Sequence, residues 1–242
     1  MLPRQVDPLE RDHSSLESEE IPARDHPLLP GKPLLRGWLH AGAAVTASLF
    51  TLALLHRRPS QGLPAFPLLL FGLSMVELYT VSAYLHIGAW RKSQHRVWRA
   101  LDHASIYVAI ASTFTPFCAA FLSGWPRAVL LCVTWALTIG GIGLTLFRPR
   151  LSRLLRSALY SALGVGSMLL LLPALWQALP APAMSLLALS GLLYLVSAVV
   201  YVRRWPDPLP LVFGYHEVFH LLVIAGNAAS ALVIWIWVAP RL

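Results

Sequence analysis

Along this 242-residue chain, polar and apolar positions separate into blocks. A polar, Pro-rich opening is followed by seven apolar stretches, each near the ~20 residues that a helix needs to cross a bilayer. The stretches cover approximately residues 35–56, 65–89, 101–123, 127–147, 157–178, 183–202 and 212–238. The pattern predicts an all-α integral membrane bundle of seven transmembrane helices occupying residues 34–242. Pro116 is expected to kink the third span. The seventh is long enough to require tilt or an extra turn outside the hydrocarbon. Residues 1–33 lack periodicity and read as a disordered cytoplasmic tail. No basic segment there leads into an apolar run, so no cleavable signal peptide is expected.

Composition strengthens this picture and excludes a water-soluble domain. Hydrophobic residues make up 57% of the chain and charged residues 12%, with mean hydropathy +0.62. A soluble domain carries about 25% charge. Seven of the eleven acids fall in the first 25 residues, leaving Glu77, Asp102, Asp207 and Glu217 for the rest. Residues 1–33 therefore carry a net −3 and the remainder +11.

A basic excess of that size raises the question of nucleic acid, but the bases sit in short clusters between apolar stretches. That is the pattern of topology-setting loops, and the expected partner is membrane lipid. Arg91, Lys92, Arg96, Arg99, Arg148, Arg150, Arg153, Arg156, Arg203 and Arg204 lie on one side. Arg57, Arg58, Arg127 and Arg241 lie on the other, and Lys32 and Arg36 join the larger group. Basic loops stay inside, so the N-terminus is expected in the cytoplasm and the C-terminus outside. The small loops suit a bacterial inner membrane. Cys118 and Cys132 both fall in spans and read as buried free thiols.

Ionisable groups inside spans cost at least ~2.5–3.5 kcal/mol, so each one is a functional candidate. Asp207, in Trp205-Pro206-Asp207-Pro208, is expected to be solvated. The other three acids accompany histidines: Glu77 and Ser82 precede His86, Asp102 adjoins His103, and Glu217 lies between His216 and His220. At i and i+4, His216 and His220 share a helix face about 6 Å apart, and Ser82 and His86 repeat that relation. The derived topology puts His86, Asp102, His216 and His220 at a common depth in the inner leaflet. An isolated intramembrane histidine is ordinarily a packing residue. Three at one depth, with an Asp and a Ser, point to a metal, and three imidazoles leave a fourth position open to water. His40, His56 and His95 read as interfacial, and Tyr84, Tyr107 and Tyr215 as interface or packing aromatics. His103 points about 100° away from Asp102 around the helix and is ambiguous.

These residues carry a resemblance. Ser82-Ala83-Tyr84-Leu85-His86, Leu101-Asp102-His103-Ala104-Ser105-Ile106-Tyr107 and Phe213-Gly214-Tyr215-His216-Glu217-Val218-Phe219-His220 resemble the three signatures of the hemolysin III family. That family belongs with the progestin and adipoQ receptors, which include the adiponectin receptors. The resemblance covers all seven spans and implies a seven-helix bundle with a cytoplasmic N-terminus. It also implies Zn2+ held by His86, His216 and His220, with Asp102 near a zinc-bound water and Ser82 supporting from behind. Alkaline ceramidases use a similar constellation for amide hydrolysis, so the implied activity is hydrolysis of a lipid amide or ester.

Other readings remain open at this level. His216-Glu217-x-x-His220 also fits a metalloprotease motif with Glu as general base. A signalling, lytic or transport protein with a structural zinc is a further alternative. A retinal protein is excluded, because Lys32 and Lys92, the only lysines, lie in no span.

Overall fold

The computed structural model describes residues 33–57, 66–148 and 150–242, and the tail expected at 1–33 lies, but for Pro33, outside them. Seven α-helices follow in order: α1 (Trp38–Arg57), α2 (Phe66–Ile87), α3 (Lys92–Phe121), α4 (Gly124–Phe147), α5 (Arg153–Ala178), α6 (Ala181–Arg203) and α7 (Tyr215–Val233). A π turn at Ile234–Val238 and a 3-10 turn at Ala239–Arg241 extend α7. Among the described residues, all seven are long and apolar enough to cross a membrane. The chain is an integral, multi-pass membrane protein with the seven-helix architecture expected.

Large apolar side chains on the outside account for the hydropathy. Leu52, Ile139 and Leu170 are each more than 60% exposed on the outer surface of the bundle, where acyl chains replace water. Helix association in that solvent depends on packing and polar ties more than on the hydrophobic effect. Such ties link neighbouring helices: Ser190 Oγ donates to Gly226 O (2.8 Å), and Asn227 Nδ2 donates to Tyr79 Oη (2.8 Å). The most extensive contacts are α6 with α7, α1 with α2 and α2 with α3, and α1 also meets α7, which closes the bundle.

Several boundaries differ from expectation. α3 starts at Lys92, not near 101, because a polar turn outside the hydrocarbon is invisible to hydropathy. At 30 residues it is about 45 Å long, well beyond a ~30 Å core. α3 stays helical through Pro116, and α5 through Pro173. Cys118 is buried as expected, but Cys132 is exposed on the outer surface of α4. Arg156, counted with the loop bases, is only 3% exposed inside α5.

Candidate metal centre

The site is built where α2 ends, about three turns into α3, and where α7 begins. His86 is the penultimate residue of α2, and His216 and His220 occupy the first two turns of α7. Gly214 is the α7 N-cap, and a Cβ there would lie 2.7 Å from Asp207 Oδ1. That closeness has a use: Asp207 Oδ1 accepts a 2.7 Å hydrogen bond from Tyr215 N. Asp207 is thus exposed, as expected, and also caps the helix that bears two of the histidines.

Each of His86, His216 and His220 offers one ring nitrogen, all within 4.8 Å of one another, and together they form a group able to hold a metal ion. His86 Nε2 and His216 Nε2 are 3.2 Å apart. Two nitrogens on one tetrahedral zinc at 2.0–2.1 Å stand about 3.3 Å apart, so this pair is already spaced for one ion, and the His220 nitrogen lies within 4.8 Å of both. His220 Nδ1 is buried with no hydrogen-bond partner among the described residues. The structure therefore brings together the three histidines singled out by helical spacing.

Asp102 and Ser82 come together too. Ser82, one turn above His86, is 2% exposed and lies within interaction range of the Asp102 side chain, itself 9% exposed. Arg99 and Arg156 lie within electrostatic reach of that carboxylate. His103 is a neighbour of Asp102 rather than of the cluster: its Nδ1 is 3.7 Å from Asp102 Oδ2, and its carbonyl accepts from Tyr160 Oη.

The other two acids do different work. Glu77 does not accompany the site: it is exposed on the outer face of α2, nine residues before His86. Glu217 is fully buried, paired with Arg36 Nε, and its Oε2 accepts a 2.8 Å bond from Gly214 N. Both carboxylate oxygens are thus engaged at the α7 N-terminus.

The segment leading into α1 supplies what spacing did not reveal. Leu34 N and Leu35 N donate to Leu211 O and Val212 O, which fastens this segment to the α6–α7 loop. Gly37 follows at φ +87°, and a Cβ there would fall 2.9 Å from His86 Cβ and 2.8 Å from Ile87 Cγ1. Gly37→Ala should therefore destabilise the fold by about 1–3 kcal/mol, through positive φ and crowding together. Thermal unfolding in detergent checks this. His40, expected at the interface, is instead 3% exposed in the interior, its ring against His220. No spacing marked it in the sequence, because Arg36, four residues before it, precedes the helix.

Comparisons with known proteins place this arrangement. The Hemolysin-3 homolog of Bacillus subtilis (strain 168) is 34% identical over 160 residues, covering 66% of this chain and 71% of that protein. Hemolysin-3 of Bacillus cereus is 32% identical over 171 residues, 70% of this chain and 74% of that protein. Heptahelical transmembrane protein ADIPOR2 of Oryza sativa subsp. japonica is 34% identical over 182 residues, 69% of this chain and 79% of that protein. A family model described as haemolysin-III related matches residues 30–231, a range that contains every residue of the cluster. With seven spans, three converging imidazoles and that extent of match, the chain belongs to the haemolysin III-related family.

Proposed function

We propose that the protein is a zinc-dependent intramembrane hydrolase of a lipid amide or ester. The observation that carries this reading is the convergence of three imidazoles, with a carboxyl and a hydroxyl at the same end of an apolar bundle. Three neutral nitrogen donors without thiolates suit zinc and leave a coordination position for chemistry. When bound, zinc would supply a water of lowered pKa and polarise a scissile carbonyl.

The chain's own residues do the rest. His86, His216 and His220 hold the ion. Asp102 orients the attacking water and accepts its proton. Ser82, beside Asp102, would help hold its carboxyl in place, so that it need not reorganise during the reaction. The basic clusters at that end of the bundle support a site in the cytoplasmic leaflet, where lipid substrate would arrive laterally. A bacterial inner membrane is the expected location.

Glu217 argues against the protease reading, since Arg36 and the Gly214 amide already occupy its carboxylate. A structural zinc would call for a fourth protein ligand, and the group described has three histidines.

The test pairs metal analysis of purified protein with lipidomic comparison of membranes carrying wild type or His220→Ala. Stoichiometric zinc is expected in wild type, with loss of zinc in the variant and accumulation of one lipid class. Wild-type protein purified without zinc would remove the basis of the proposal.

A further inference from the structure

The entry segment and first turn of α1 contribute no histidine to the group, yet they touch both helices that carry it. Arg36 pairs with Glu217 on α7, Gly37 lies against His86 on α2, and His40 lies against His220 on α7. We propose that His40 is a positioning residue that fixes the ring plane of His220 through face-to-face stacking. The proposal rests on the metal reading above and concerns how that centre is kept in shape.

The geometry separates this role from that of a ligand. The rings of His40 and His220 have centroids 3.9 Å apart and planes inclined by only 4°. An imidazole binds a metal in its own ring plane, at about 2.0–2.1 Å from the nitrogen. An ion in the plane of His220 therefore lies well off the parallel plane of His40. His40 cannot share that ion through an in-plane lone pair. What it presents to His220 is its face.

His220 has need of such a support. A ligating histidine ordinarily donates its second ring nitrogen to a carboxylate, carbonyl or water, and that bond sets the ring's orientation. Among the described residues, His220 Nδ1 has no such partner. Rotation about its terminal torsion is soft, because sp³–sp² torsions have broad wells. A flat ring packed against the imidazole supplies the missing restraint.

His40 is itself held firmly. Tyr79 of α2 packs against it, with ring centroids 5.1 Å apart and an inclination of 52°. Tyr79 Oη accepts from Asn227 Nδ2, and Asn227 Oδ1 accepts from Tyr194 Oη of α6. The restraint on His220 thus runs through α1, α2, α6 and α7. Among the described residues, neither nitrogen of His40 has a hydrogen-bond partner, so none of their edges competes with the stack for control of its position.

The experiment measures zinc affinity of the full-length protein in detergent by chelator competition, beside thermal unfolding. His40→Leu fills the volume without an aromatic face, and His40→Phe keeps a face without nitrogens. His40→Leu and His40→Ala should each weaken zinc binding by about 10–100-fold, the usual effect of removing an orienting partner. His40→Phe should bind zinc close to wild type. Equal affinity in wild type and the Leu and Ala variants would overturn the proposal while leaving the metal centre standing. Weak binding by His40→Phe, with folding intact, would overturn it too, since the nitrogens rather than the face would then matter. Zinc-free wild type would instead remove the metal reading and this proposal with it.

Discussion

Asp102→Asn should lower lipid turnover by about 10²–10⁴-fold while zinc stays bound. The two outcomes separate because Asp102 stands outside the three-nitrogen group. Asn keeps the shape of the side chain, but it cannot accept a proton from water. Asp102→Ala should lose as much activity. The measurement is turnover of the lipid class that accumulates in His220→Ala membranes, alongside zinc content. Unchanged turnover with intact zinc would end the role assigned to Asp102. Loss of zinc in Asp102→Asn would make it a ligand instead.

The second large effect is structural. Arg36→Met should destabilise the protein by about 3–5 kcal/mol, because it leaves the buried Glu217 charge without its partner. Adding Glu217→Gln should recover most of that loss, since the neutral side chain still accepts from Gly214 N. Melting temperatures of wild type, single and double variants in detergent measure it. The double variant also tests function: a metalloprotease using Glu217 as base would lose activity in it, whereas the proposed hydrolase would retain it. If the Arg36→Met melt matched wild type, the ion pair would hold no weight in the fold.

Hydropathy alone was enough to read the seven spans, because in lipid every crossing must be a long apolar helix. It failed where helix continued into water: Lys92 to Ala100 is helical yet too polar for any hydropathy window to include. The three histidines were legible because helical spacing and span direction are local properties that together fix a depth. His40 was not legible on those terms. Its depth near the start of α1 is equally that of an interfacial residue, and only the approach of α1 to α7 turns its ring inward against His220. Arg156 misled for a similar reason, since a base at a helix start counts towards topology whether or not it is buried. Glu77 misled in the opposite sense: it precedes His86 in sequence but faces outward from α2.

The attachment of the α1 entry segment to the α6–α7 loop has a consequence for biosynthesis. His86 and His216 are 130 positions apart, and the amides of Leu34 and Leu35 find their acceptors only at Leu211 and Val212. A nascent chain halted after α6 holds one of the three ring nitrogens, and the carboxylate that pairs with Arg36 has yet to be made. The three-histidine group therefore assembles only at the end of translation, when the last helix enters the membrane and joins the first. Products that stop before α7 are left with His86 alone of the three.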